Sequence, residues 1–304
     1  MRQVTIVGTG LIGGSFALAL RKRGFKGRIL GCDREPALRR AKKIKAIDEG
    51  FIDPVKATAG SQLVVLATPV LGIIDLIGHV APTLEPDALL TDVGSTKSAI
   101  VDRALSVFGK DAGKRFLGGH PMAGKEHSGI EHADADLFRN AVWFLTPLPR
   151  QSLRRGMFSE LAEWIEKIGA RIVMLPADEH DRLCAWISHL PQMISTALAA
   201  TLVDEFGEEA PLLPAGGRAL REMSRISASP YSMWRDVAIS NRNNIQDALL
   251  KLEQRLAHIR ENLATRQLAE EFELAHRLSK SSKEDRTTGT KGSADTKKRR
   301  PRSR

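Results

Sequence analysis

The sequence predicts an α/β chain: a doubly wound, mostly parallel sheet domain over residues 1–176, an all-α domain over 177–280 and a basic tail over 281–304. Three observations lead there. Short aliphatic runs alternate with amphipathic helical stretches through the first half, as in βα units whose parallel sheet is covered on both faces. Strand signals stop near Pro176, and helical periodicity then continues almost to Lys280. A chain of 304 residues is also long for a single α/β core, so two domains are the natural division.

In order, Val4, Ile6 and Val7 make a short buried strand, followed by Gly8, Gly10 and Gly13 in G-x-G-x-x-G spacing and a helix from about Leu11 to Arg23. A second strand, Arg28 to Gly31, leads to Asp33, twenty residues after Gly13. Strand, turn, helix, strand and acid in this register form a Rossmann-type dinucleotide site. Gly8 permits the tight turn, Gly10 lets backbone approach a pyrophosphate, and Gly13 allows the helix to pack closely on the strand. The helix N-terminus at Leu11 and Ile12 offers free N–H groups to the phosphates. Asp33 accepts from ribose hydroxyls and repels a 2′-phosphate, which favours NAD over NADP; the neighbouring Arg34 tempers that preference. A ligand-free glycine turn is the plainer alternative.

Further strands follow at Leu63–Ala67, ending in Thr68 and Pro69; at Ala88–Asp92, ending in Val93, Gly94 and Ser95; and at Arg115–Gly118, leading into HPMAGKEHSG at 120–129. Helical patterns at 36–47, 70–80 and 97–108 separate them. Ligands of such sheets sit beyond the carboxyl ends of the strands, so Thr68, Ser95 and His120 are expected to face the same crevice as the glycine loop. Strands at Ala141–Thr146 and Arg171–Leu175 flank an amphipathic helix near Leu153–Ile168. Residues 178–206 then read as a long apolar helix carrying His180, His189 and Gln192, which Pro191 should kink or break. Beyond PLLPAGG at 211–217, Ile245, Leu249, Leu252, Leu256, Ile259 and Leu263 step by four and three, which suits either a dimer seam or an ordinary core helix.

Composition narrows the classes. No run of 18 or more uncharged apolar residues occurs and no leader precedes the first strand, so the expectation is a cytoplasmic protein with no membrane association. Cys32 and Cys184 lack disulfide or metal spacing and read as buried small residues. The net charge is +10, but from Ser279 onward ten Lys or Arg stand against three Asp or Glu, leaving +3 for the rest. The tail reads as disordered, and nucleic acid is an improbable partner except through it. No metal is expected; the nearest cluster, Glu126, His127, Glu131 and His132, reads as a polar surface.

GTGLIGGS at 8–15, DVGSTK at 92–97, HPMAGKEHSG at 120–129, SHLPQ at 188–192 and SRISASPYSMWRD at 224–236 together resemble the prephenate dehydrogenase family, in the family's order across about residues 1–280. The resemblance implies NAD-dependent oxidation of prephenate with loss of carbon dioxide to 4-hydroxyphenylpyruvate, or of arogenate to tyrosine, by a homodimer. It implies that His120 is the catalytic histidine on the substrate's ring hydroxyl, with Ser95 helping to hold it. It also implies that Glu126 is a gating carboxylate, that Arg225 binds a substrate carboxylate, and that His189 and Trp234 lie where the helical domain closes over the pocket. Gln192 stands where many relatives carry histidine, and GGRALREMSR at 216–225 also departs from the pattern. Both departures lie near the substrate side chain, so prephenate and arogenate stay open.

The chemistry suits these groups. Removing hydride from a carbinol carbon is eased as the hydroxyl proton leaves to a neutral imidazole, and aromatisation drives decarboxylation without a metal. Arg225 can grip a carboxylate bidentately. After the helical domain only the basic tail remains, so any tyrosine inhibition would act at the active site, by competition.

Overall fold

A computed structural model describes residues 1–125, 127–207 and 213–288. They form two compact units divided after Ala248. The first begins with β1 (Gln3–Val7), α1 (Leu11–Lys22), β2 (Arg28–Cys32), α2 (Glu35–Lys43), β3 (Glu49–Phe51), α3 (Pro54–Thr58), β4 (Leu63–Leu66) and α4 (Val70–Val80). It continues through β5 (Leu89–Asp92), α5 (Ser98–Phe108), α6 (Ala112–Arg115), β6 (Phe116–Pro121), β7 (Val142–Thr146), α7 (Gly156–Lys167) and β8 (Arg171–Met174). The eight strands form one sheet in the order β3-β2-β1-β4-β5-β6-β7-β8. All neighbours are parallel except β6 and β7, so β7 and β8 run against the rest.

The two-residue period of the strands builds two cores. Val4 and Ile6 of β1, Leu63 and Val65 of β4 and Leu89 of β5 pack with Phe16 and Leu20 on one face. Val7, Val64, Leu66 and Leu90 pack with Ile73, Ile77 and Ile100 on the other. Each fully buried aliphatic side chain contributes about 1.5–3 kcal/mol, and burial on both faces explains why these strands read as unbroken apolar runs.

Most expected strands agree with the structure to within a residue at each end; one strand is additional and one runs further than expected. β3 was not anticipated: its three residues carry only one large apolar side chain, so they give no strand signal. β6 runs past Gly118 to Pro121 because β7 supplies an antiparallel ladder that pairs His120 with Phe144. His120 therefore sits on the last rungs of a strand, where the sheet fixes its backbone, and not in a loop after it.

Beyond the sheet, α8 (Ala177–Cys184) and α9 (Leu190–Phe206) are joined by a π-helical turn, Ala185–His189. Pro191 removes one amide donor, and its ring would collide with the carbonyl of Ile187 in a regular α-helix. The wider turn absorbs the conflict, so Pro191 marks an irregularity but the chain stays helical through it and does not break. α10 (Gly217–Ser224), α11 (Tyr231–Ser240) and α12 (Arg242–Glu261) follow. In the second unit, the end of α12 pairs with α13 (Gln267–Thr288), Arg255 bonding Glu271 at 2.6 Å. α13 continues past residue 280, where the tail was expected to begin; residues 289–304 lie outside the described residues. Among the described residues, no helix is long and apolar enough to cross a membrane.

Candidate active site

The sheet reverses its winding between β1 and β4, the position at which a doubly wound sheet opens a crevice. The glycine loop abuts the end of β4 there. Gly8 has φ +98°, and a Cβ on it would lie 2.5 Å from the Ala67 carbonyl oxygen. A Cβ on Gly13 would lie 2.0 Å from the Gly8 carbonyl oxygen and 2.8 Å from Ile6, so bare helix backbone packs on strand and turn. A Cβ on Gly10 would meet nothing within 4 Å outside the adjoining backbone. Two glycines are thus consumed by packing, while the third faces open space at the start of α1, whose N-cap has no side-chain hydrogen bond. An anionic diphosphate fits this cradle: free amides and the positive end of the helix dipole meet it where backbone can come close.

Asp33, at the end of β2, accepts from the Thr9 amide at 2.8 Å, the Thr9 hydroxyl at 3.1 Å and the Arg34 amide at 2.7 Å. These bonds fix its carboxylate against the loop, with lone pairs remaining for a diol. Arg34 is exposed, Leu11, Ile12 and Thr68 are half-buried, and Pro69 forms the exposed N-cap of α4.

A second cluster surrounds His120. Asp92 and Lys97, the ends of DVGSTK, form a fully buried ion pair. Lys97 Nζ donates to Asp92 Oδ2 and to the Gly119 carbonyl at 2.7 Å, while the Gly119 amide donates to Asp92 Oδ1 at 3.2 Å. The pair therefore grips both sides of the residue preceding the histidine. Close approach requires Gly119 itself: a Cβ there would meet the Asp92 carbonyl oxygen at 2.7 Å. Burial pushes the Asp92 carboxyl up and the Lys97 ammonium down, each opposed by the partner's charge.

His120 Nδ1 is 2.9 Å from His180 Nε2, and His180 Nδ1 is 2.9 Å from Asp181 Oδ1. Asp181 also accepts from the amides of Lys97 at 2.6 Å and Ser98 at 2.8 Å, capping α5 from α8. Burial raises the Asp181 carboxyl, but the bonds from His180, Ser98 and Lys97 outweigh it and hold the group below the usual range. His120 is held well below the usual histidine range by burial first, then by His180, Lys97 and His189. The ring is therefore neutral at physiological pH. Ser95 is half-buried, and the Nδ1 side of the His120 ring faces His180.

Cys184 Sγ completes a buried trio, 3.4 Å from His180 Nε2 and 4.0 Å from His120 Nδ1. These three donors lie within 4.8 Å of one another, a grouping the sequence reading did not foresee. Burial pushes the Cys184 thiol up to about 12, which keeps it a neutral, weak ligand. In the exposed loop, His127 and His132 stack at 5.0 Å and Glu131 pairs with Arg40 at 3.2 Å. Glu126 lies outside the described residues.

Across the π turn, His189 Nδ1 accepts from Asn241 Nδ2 at 3.2 Å, and Asn241 Nδ2 also donates to the Asp181 carbonyl at 2.8 Å. Burial brings His189 down to about 4, so the ring is neutral with its proton on Nε2. That Nε2, Trp234 Nε1 and the Ser195 hydroxyl are buried without a partner among the described residues. The rings of His189 and Trp234 meet edge to face at 5.9 Å. Gln192 Nε2 donates to the Ile226 carbonyl at 2.9 Å, tying α9 to the residue after Arg225, which is itself exposed.

The structure thus brings His120, Lys97 and Asp92 together with His180 and Asp181, and His189 with Trp234 and Asn241. Reading the sequence left His180, Asp181, Asp92, Lys97 and Asn241 without roles. The available signals were the His180-Asp181 dipeptide and the two charges bracketing DVGSTK.

The fold and site define a class: an α/β nucleotide-binding sheet whose polar edge is completed by a helical segment carrying its own buried histidines. Two family models match, the prephenate dehydrogenase nucleotide-binding domain over residues 16–174 and the prephenate dehydrogenase dimerization domain over 176–280. The chain belongs to the prephenate dehydrogenase family. It is 37% identical to the prephenate dehydrogenase of Lactococcus lactis over 79% of this chain and 65% of that protein, so it spans just under two thirds of that relative. Among solved structures, a prephenate dehydrogenase from A. aeolicus in complex with hydroxyphenyl propionate and NAD+ superposes with TM-score 0.81 at 32% identity, covering 95% of this chain and 98% of that one. An arogenate dehydrogenase from Synechocystis superposes with TM-score 0.71 at 29% identity, covering 94% and 99%.

Proposed function

We propose that the chain is an NAD-dependent prephenate dehydrogenase. Residues 1–176 would hold the cofactor and residues 177–280 would supply substrate contacts and the interface of a homodimer. The observation that carries this reading is a neutral, buried His120 at the carboxyl end of β6, on the sheet edge that also bears the glycine cradle. Bound NAD supplies the hydride acceptor. Gly8, Gly10, Gly13, Leu11, Ile12, Asp33, Arg34, Thr68, Pro69 and Ser95 would hold it, with Asp33 on the ribose.

His120 takes the proton of the ring hydroxyl as hydride leaves the same carbon. The electron pair of the breaking carbon–carboxylate bond then completes the aromatic ring as carbon dioxide departs. Neutral imidazole suits this step because it needs no prior deprotonation, and such a base is worth about 10² to 10⁴ in rate. Arg225 would hold one substrate carboxylate. His189 Nε2 and Trp234 Nε1, donors without a partner among the described residues, support an anionic substrate, whose oxygens would supply acceptors. Glu126 would pair with Arg225 when substrate is absent.

The test is NADH formation by the purified chain with NAD and prephenate, and in parallel with arogenate. Turnover is expected with prephenate. His120→Asn should lower kcat by about 10² to 10⁴-fold, whereas Arg225→Lys should mainly raise KM. No turnover of either substrate, or a His120→Asn enzyme at full rate, would refute the reading. Arogenate is the second reading, kept open by the likeness to the Synechocystis arogenate dehydrogenase and by Gln192, which stands where many relatives carry histidine; faster turnover of arogenate would establish it.

A further inference from the structure

We infer that His180 and Asp181 are positioning residues that set the tautomer of His120, so that His120 Nε2 is the bare nitrogen facing substrate. The inference rests on the proposal that His120 is the base. Its argument runs along the hydrogen bonds from the fixed end. Asp181 accepts two backbone amides and is held ionised, so it can only accept at His180 Nδ1, 2.9 Å away. The proton of His180 therefore resides on Nδ1, and its Nε2 carries a lone pair. His120 Nδ1 lies 2.9 Å from that lone pair and donates to it. A neutral imidazole protonated on Nδ1 has Nε2 free to accept, as a base requires.

Every charged or titratable group seen around the ring fits this assignment. Asp92 and Lys97 neutralise each other and grip Gly119, while Cys184 is a neutral thiol beside the His120–His180 bond. His189, across the π turn, is neutral as well. When His120 accepts the hydroxyl proton it becomes an imidazolium, and the Asp181 charge, relayed through His180, stabilises it inside a buried site. No proton need pass beyond His120 Nδ1. One carboxylate thereby orients two rings in series and also caps α5, which holds Lys97 in place.

The test uses the full chain with ¹⁵N-labelled histidine. Long-range ¹H–¹⁵N spectra at neutral pH are expected to show His120 and His180 both as Nδ1–H tautomers. Asp181→Asn, whose amide can donate to His180 Nδ1, should scramble both tautomers and lower kcat by roughly 10² to 10⁴-fold, with NAD affinity nearly unchanged. The acid limb of its kcat/KM profile should move to lower pH, because the charge that favours imidazolium is gone. His180→Gln leaves the α5 cap intact and should also lower kcat at least tenfold. An Nε2–H tautomer at His120, or both variants at wild-type kcat while His120→Asn is inactive, would overturn the inference and leave the base assignment standing. Loss of activity on chelation, restored by zinc, would show that His120, His180 and Cys184 hold a metal, and would overturn it too.

Discussion

Three imidazoles, His120, His180 and His189, are buried in hydrogen-bonded sites where burial holds each below its ordinary value. Above pH 6.5 they are neutral both folded and unfolded, and they exert no pH-dependent pull. As pH falls below 6.5, the unfolded chain takes up protons that the folded chain refuses, so stability declines. For His189 the decline runs from 6.5 to about 4, where the folded ring also charges, and amounts to roughly 3 kcal/mol. Asp181 is held below 3.8, so its stabilising charge persists through that window and is lost only at lower pH. Urea unfolding followed by circular dichroism at pH 7.5 and 4.5 should show a marked loss at the lower pH, and His189→Asn should flatten part of it. A stability indifferent to pH over this interval would contradict the neutral, buried assignment.

The glycine loop separates conformational from contact roles within one short element. Gly13→Ala places a methyl 2.0 Å from a carbonyl oxygen, so helix α1 must lift off β1. Overpacking of this kind costs about 1–3 kcal/mol or more, and the melting temperature should fall whether or not a dinucleotide is present. Gly10→Ala meets open space at φ −73° and should melt like the parent, yet bind NAD at least tenfold more weakly by titration calorimetry. Equal melting temperatures for the two variants would refute the distinction. This element was legible in the sequence because its contacts are local: strand, turn and helix succeed one another within about twenty residues. The His120 relay was not, since His120 and His180 are sixty residues apart and meet only because β6 extends along β7 and α8 packs against β7 and the start of α5. Nor was β3, whose three residues hold no apolar period. Pro191 signalled an irregularity correctly, but a single proline does not reveal whether the helix breaks or widens.

At the scale of the whole molecule, the repeating seam of α12 and the turn after it remains incompletely covered among the described residues: Ile245 is buried, whereas Leu256 is 55% and Leu263 is 65% exposed. The family's dimerization domain spans this helix. Sedimentation equilibrium should report twice the chain mass at micromolar concentration. Leu252→Asp combined with Leu256→Asp should shift the population to monomer while the Rossmann-type unit keeps its fold; an unchanged dimer would move the interface elsewhere.

The π turn at Ala185–His189 also sets the phase of everything after it. In an unbroken α-helix, counting by fours from His180 reaches Cys184 and then Ser188. The one extra residue in the wide turn advances the helical wheel, so His189 arrives on that side and shares Asn241 with the Asp181 backbone. A length change of one residue in this stretch would leave the composition and the fold class nearly untouched, yet exchange an imidazole for a hydroxymethyl group at the pocket. This segment's tolerance to insertion and deletion is therefore set by angular register, not by loop length.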